Sequence, residues 1–322
     1  MRARSFAGLA IGLGLLLPLL FRGQEVTITP RPKGSPKGST KAEESRPANI
    51  RVSSNLVLIP VTVNDPLNRP VSGLEKENFK IFDEKVQQTI STFAMDDEPI
   101  AAGLVFDTSG SMGDKLRRSR MAASVFFKIA DPDDEFFLVE FDSQPRLVVP
   151  LTQDTGRIEQ ELTFSRSRGS TALLDAIYMA LQEMRKSKKN KKALLIISDG
   201  GDNNSRYTVK EVRTLIQESD VLIYAIGVFG GGSTPEEAGG PELLSHIAEQ
   251  TGGRMFFANA VEMPDVAKKI GIELRNRYIL GFAPLNQVRD GKYHHVTVTV
   301  IPPRGLPKLQ AHWRTGYTAP DQ

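Results

Sequence analysis

Apolar residues recur along this chain with two different periods, and the places where the period changes divide it. From Val57 the alternation is two: Val57, Ile59, Val61 and Val63 fall on one side of an extended segment, the mark of a strand with one buried face. Turn signals follow at Asn64-Asp65-Pro66 and Asn68-Arg69-Pro70. Residues 79–82 and 88–93 predict two more short strands. The same period returns near the far end. Residues 278–282 are strand-like, Val296, Val298 and Val300 share one face of residues 294–300, and Leu309, Ala311 and Trp313 alternate in a last strand. Neither set of strands can bury its apolar face alone. The pattern therefore predicts one small β-sandwich built from residues 50–98 and 277–318, with a domain inserted between them.

The insert, residues 99–276, alternates strand and helix. Strands are predicted at 101–106, 135–141, 146–150, 193–198, 221–228 and 254–257. The first, fourth and fifth are continuous apolar runs, as expected of central strands covered on both faces. Helical spacing appears at Leu173, Ile177, Leu181 and Met184, at Val209, Val212 and Ile216, and at Val266, Ile270 and Leu274. Thr208 and Glu211 have the spacing of a capping box at the start of the second of these. The fold class is α/β: a doubly wound, mostly parallel six-stranded sheet inserted in the sandwich.

The N-terminus has no such period. Arg2 and Arg4 precede an apolar run over residues 6–21, which reads as a secretory signal. As a helix the run would be about 24 Å long, short of a bilayer core of about 30 Å. Residues 1–23 are thus expected to be a cleaved signal, with an N-terminal anchor as the alternative, because Phe21 stands where a small residue should precede a cut after Gly23. Residues 24–49 carry Pro, Gly, Ser and Lys without the apolar residues that offset ordering entropy, and read as a disordered linker. The expected location is exported: periplasmic, cell-surface or secreted.

Composition narrows the chemistry. The chain has 322 residues and no cysteine, which excludes disulfides, thiolate zinc sites, a cysteine nucleophile and an acylated lipoprotein cysteine. A formal net charge of +3 is too small to argue for nucleic acid. Residues 185–192 hold six positive charges, read as a solvated helix end, where cations are favoured, with an anionic surface partner as the alternative. Gly230–Pro235 and Gly239-Gly240 read as a loop beyond the fifth strand.

The candidate chemistry lies at Asp107-Thr108-Ser109-Gly110-Ser111-Met112, after the first apolar strand of the insert. One carboxylate and two hydroxyls, at alternate positions on a loop leading into a helix, are hard oxygen ligands of the kind Mg²⁺ prefers. Taken alone they also read as a helix cap and turn. Thr171 and Asp199 follow downstream, the latter at the end of the fourth strand. No histidine stands near these loops: His246 lies in a helical stretch, and His294, His295 and His312 in the β-strand region. No Gly-x-Gly-x-x-Gly or Gly-Lys-Ser/Thr loop supports a nucleotide site.

Together, Asp107, Ser109, Ser111, Thr171 and Asp199 resemble the metal-ion-dependent adhesion site of von Willebrand factor A domains, and all five positions match. The resemblance implies a strand order 3-2-1-4-5-6, with both aspartates in one crevice. It implies that the serines and Thr171 meet the metal directly or through water, while the aspartates act through water or hydrogen bonds. The implied cofactor is Mg²⁺, with Mn²⁺ or Ca²⁺ as substitutes. The implied partner is a protein that supplies an Asp or Glu carboxylate to the open coordination position, with no nucleic acid and no enzymatic activity. A metal-dependent hydrolase, and a structural module whose metal braces loops, remain as alternatives. The flanking stretches Val61 to Asp65, Pro70 to Leu74, Asn78-Phe79 and Arg314 to Tyr317 resemble a bacterial group of exported von Willebrand factor A-related proteins described from Acidobacteria.

Overall fold

The computed structural model describes residues 56–229, 235–259, 261–285 and 290–321, with the backbone alone at 235–238. The expected signal, the linker and residues 230–234 lie outside the described residues. Among those described, no helix is long and apolar enough to cross a membrane.

The first strands are β1 (Val57–Asn64), β2 (Phe79–Asp83), β3 (Val86–Gln88) and β4 (Ile90–Asp96). The insert begins with β5 (Ile100–Asp107), a 3-10 segment (Gly110–Lys115) and α1 (Leu116–Phe127). It continues through β6 (Glu135–Phe141), β7 (Pro145–Thr152), α2 (Thr155–Phe164), α3 (Leu173–Met184) and β8 (Lys191–Ser198). Then come α4 (Val209–Glu218), β9 (Val221–Gly227), α5 (Pro235–Gln250), β10 (Met255–Phe257) and α6 (Met263–Arg275). The chain closes with β11 (Arg277–Phe282), β12 (Tyr293–Val300), β13 (Gln310–Trp313) and β14 (Gly316–Thr318).

The central sheet has the order β10-β9-β8-β5-β6-β7, parallel except for the antiparallel pair of β6 and β7. Numbered within the insert this is 3-2-1-4-5-6, with β5 and β8 adjacent. The period-two split of the apolar strands explains the layers. Leu104, Phe106, Leu195, Ile197 and Ile226 face one core with α1, α2 and α6, and Val105, Leu194, Ile196 and Ile223 face the other with α3, α4 and α5.

Both chain ends contribute to each sheet of the sandwich. One has the order β13-β1-β11-β4 and the other β14-β12-β2-β3. Ile59, Val61, Leu280 and Phe282 from the first meet Phe79, Ile81, Val296 and Val298 from the second in one core. The run 88–93, expected as one strand, is divided: Gln88 ends β3 in one sheet and Ile90 opens β4 in the other. Alternation does not reveal that break, because Gln88 and Ile90 are both buried on either side of exposed Thr89 and keep the period of a single strand.

The basic run is also corrected in part. Lys191 is 3% exposed, and its Nζ lies 3.3 Å from Asp96 Oδ1 and 2.8 Å from the Asp96 carbonyl oxygen. Arg277 binds Asp96 Oδ2 from the start of β11. Both crossings between sandwich and insert thus meet at one buried carboxylate, at the end of the central sheet opposite the strand ends that carry Asp107 and Asp199.

Candidate metal centre

Asp107 is the last residue of β5 and Asp199 follows β8, its neighbour in the sheet. Parallel pairing carries both to the carboxyl edge at the point where the strand order reverses, the place where open α/β sheets bind ligands. Both are buried, at 0% and 1% exposure. Asp107 Oδ1 accepts a hydrogen bond from Ser109 N at 2.8 Å, and Oδ2 accepts one from Ser198 Oγ at 2.6 Å. Burial first, and then the charge of Asp199, push the Asp107 carboxyl up to about 7, against the hydrogen bonds of Ser109 and Ser198. The charge of Asp199 acts on Asp107, and a cation beside the two buried carboxylates would relieve that repulsion.

Part of that positive charge comes from the chain itself. Lys115, at the end of the 3-10 segment, places Nζ 3.0 Å from Asp199 Oδ2 with its side chain 16% exposed. The other oxygen, Asp199 Oδ1, is buried without a hydrogen-bond partner, a costly state for a carboxylate oxygen.

The hydroxyls converge on the same edge. Ser109 Oγ and Ser111 Oγ lie 3.0 Å apart, the first buried and the second exposed. Thr171 sits in the loop before α3 and is 5% exposed. Its N–H donates to Asn203 Oδ1 at 2.9 Å, and its carbonyl accepts from Asn203 N and Asn204 N, each at 3.0 Å. Gly110 N donates to Gly169 O at 3.0 Å and Arg168 N to Thr108 O at 2.8 Å, so the loops of Ser109 and Thr171 are stitched together. All five residues named from sequence thus belong to three interlocked loops on one edge.

Glycine holds Asp199 in place. A Cβ on Gly240 would lie 2.4 Å from the Asp199 carbonyl oxygen, and one on Gly200, at φ +78, would lie 2.6 Å from Gly240 Cα. Gly239-Gly240, expected in a loop, belong instead to α5. Gly240 is needed there for backbone-to-backbone contact, which overrides its poor helix propensity, whereas a Cβ on Gly239 would meet nothing within 4 Å.

The donor set suits a hard cation. Two carboxylates and three hydroxyls are all oxygen, and the orphaned Asp199 Oδ1 is an acceptor in want of a positive partner. Among the described residues no group of three or more His, Cys, Asp or Glu is arranged to hold a metal, so the hydroxyls are essential to any such site. Three contributors escaped the sequence reading. Lys115 reads as ordinary surface charge, and Asn203 and Asn204 read as turn residues. Only the polar density of Asn203 and Asn204 just after Asp199 signals a role.

Residues 104–201 match the family model of the von Willebrand factor type A domain. The chain carries a von Willebrand factor type A domain. Bovine inter-alpha-trypsin inhibitor heavy chain H4 is 27% identical over 169 residues, spanning 47% of this chain and 18% of that protein. An uncharacterized protein of Borreliella burgdorferi is 26% identical over 203 residues, spanning 53% of this chain and 58% of the relative. The chain therefore spans less than two thirds of either curated relative. A solved structure of a von Willebrand factor type A protein from Catenulispora acidiphila superposes with a TM-score of 0.51 at 14% identity, covering 84% of this chain and 64% of that one. It agrees in fold beyond the limits of the von Willebrand factor type A domain itself.

Proposed function

We propose that this is an exported, non-enzymatic binding protein that captures an acidic residue of a partner protein through a divalent cation. Asp107, Ser109, Ser111, Thr171 and Asp199 would hold the ion, Mg²⁺ by the hardness of the donors, with Mn²⁺ or Ca²⁺ as substitutes. When bound, the cation supplies an open coordination position for a carboxylate oxygen. The observation that carries this reading is the pair of buried aspartates on adjacent strand ends, with Asp199 Oδ1 unpartnered. Two carboxylates only balance a divalent charge, which leaves room for one more anionic ligand.

The residues of the chain prepare the site. Ser198 and the Ser109 N–H orient Asp107, Asn203 and Asn204 fix the Thr171 backbone, and Gly240 fixes the backbone at Asp199. Hydrolysis would need a base beside bound water. The four histidines lie elsewhere, in α5, β12 and β13, and Lys115 is engaged as a cation by Asp199. Arg2, Arg4 and the apolar run after them support export.

The test is capture of partners from envelope extract on the immobilised protein in Mg²⁺ or in EDTA. Capture should need the cation and fail with Ser109→Ala plus Ser111→Ala while the melting curve stays cooperative. It should also fail when the contacting Asp or Glu of the captured partner is changed to Ala. Binding that persists in EDTA would contradict the proposal.

A further inference from the structure

We propose that Arg168 and Arg206 flank the candidate metal centre as two pre-set forks for further carboxylates, so that the partner is an acidic protein segment rather than one isolated Asp or Glu. The inference rests on the proposed cation site for the first carboxylate, and adds what surrounds it.

Both side chains are strongly exposed, at 73% for Arg168 and 85% for Arg206, yet both are tethered. Arg168 Nε lies 3.3 Å from Asp142 Oδ2, and Arg206 Nε lies 3.2 Å from Asp175 Oδ2. In each case the anchor is a buried carboxylate. The terminal nitrogens of these two guanidiniums have no hydrogen-bond or ion-pair partner among the described residues. A guanidinium held by Nε has lost part of its rotamer freedom. Its two terminal N–H groups remain in the planar arrangement that matches a carboxylate bidentately.

The anchoring carboxylates are satisfied without these contacts. Asp142 also takes Arg146 Nη1 at 2.9 Å and Gln144 N at 3.3 Å. Asp175 Oδ1 takes the N–H groups of Arg206 at 2.9 Å and Tyr207 at 3.0 Å. Removing Arg168 therefore leaves Asp142 paired with Arg146, and removing Arg206 leaves Asp175 with two backbone N–H bonds.

Placement makes the pair a rim. The Arg168 N–H bonds the Thr108 carbonyl, and Arg206 follows the segment whose Asn203 and Asn204 clamp Thr171. Ser143 joins the two loops: its Oγ accepts from Ser170 N at 3.0 Å, and its carbonyl accepts from Asn204 Nδ2 at 2.7 Å. Arg166 adds a third exposed cation on the first loop. Of the acidic groups nearby, Asp142 is shared between Arg146 and Arg168, Asp175 pairs Arg206 through Nε alone, Asp202 is bonded to Ser205 Oγ at 2.5 Å, and Asp114 is exposed. The rim thus favours a partner of negative charge, and charge complementarity of this kind selects partners and speeds encounter.

The experiment uses biosensor surfaces densely coated with one of two peptides, Gly-Glu-Gly-Asp-Gly-Glu-Gly or Gly-Gly-Gly-Asp-Gly-Gly-Gly. The full chain is applied in Mg²⁺ or in EDTA. Wild type should bind the triacidic surface about tenfold or more tightly than the monoacidic one. Arg168→Gln plus Arg206→Gln should erase that preference without changing the cation requirement. Arg168→Lys plus Arg206→Lys should keep only part of it, because charge remains and the fork is lost. A double Gln variant that melts like wild type and keeps the preference overturns the inference, and so does a wild type that binds neither surface. If only the cation reading is wrong, the preference and its loss in the variant appear equally in EDTA. If only the rim is wrong, both peptides need the cation and the Gln variant behaves as wild type.

Discussion

Replacing Lys115 by Met removes the cation that the chain supplies to its own candidate site while keeping most of the side-chain volume. The ion pair is short, with Nζ 3.0 Å from Asp199 Oδ2, and the carboxylate is 1% exposed. With an effective dielectric constant of about 20, the attraction at that distance is about 5 kcal/mol. Desolvation of both groups offsets part of it, and breaking one side of a buried pair costs about 3 kcal/mol in practice. Lys115→Met should therefore destabilise the EDTA-treated protein by about 3 kcal/mol. A divalent cation compensates Asp199 in either protein, so the loaded state should not suffer the same loss. By linkage the difference reappears as affinity: at 1.4 kcal/mol per decade, the variant should bind Mg²⁺ about a hundredfold more tightly than wild type. Urea denaturation in EDTA gives the stability, and calorimetric titration gives the affinity. A variant that is less stable in EDTA but binds Mg²⁺ no better would refute the view that Lys115 and the metal serve the same carboxylate.

Two other perturbations probe how the site is held. Gly240→Ala places a methyl group 2.4 Å from the Asp199 carbonyl oxygen. It should cost about 1–3 kcal/mol and weaken divalent binding, both visible by denaturation and titration; an affinity equal to wild type would show that Asp199 is positioned by other contacts. Lys191 tests the opposite end of the sheet. Burial first, and then the charge of Arg277, pull it down from 10.5 to about 8, against Asp96. Between those values the unfolded chain binds a proton that the folded chain has lost, so this group makes stability rise with pH over about 8 to 10.5. Lys191→Met should flatten that rise by up to about 3 kcal/mol, while Arg277 still pairs Asp96. An unchanged pH profile in urea denaturation would contradict the assignment.

The parts of the molecule legible in the sequence are those written in period. Strands β5, β8 and β9 are apolar on both faces, and their central places in the sheet follow from that. Thr208 and Glu211 form both bonds of the capping box. The shared sandwich followed from a shortage of strands at each end. What escaped depends on contacts between distant residues. Gly240 looks like a loop residue until Asp199 and Gly200 are seen against it. Lys191 looks solvated until Asp96 arrives from β4. At the candidate centre, Asp107, Ser109 and Ser111 stand at alternate positions after β5 and read as oxygen donors, while Thr171 and Asp199 joined them through the resemblance. Lys115, Asn203 and the two tethered arginines carry no spacing of their own. Their roles come from the carboxylates and carbonyls that the fold brings to them.

The central claim is that Asp107, Ser109, Ser111, Thr171 and Asp199 hold one divalent cation. Its most direct test is calorimetric titration of Mg²⁺, and then Mn²⁺, into EDTA-stripped wild type and Asp107→Asn in parallel. The Asn is close in shape to Asp107 and its amide oxygen can still accept from the Ser109 N–H, so the fold should survive the change. The account predicts one ion per chain on wild type, and binding at least about tenfold weaker in the variant, a loss of 1.4 kcal/mol or more. A wild-type protein that takes up no divalent ion, or a folded Asp107→Asn that binds it equally well, would contradict the account.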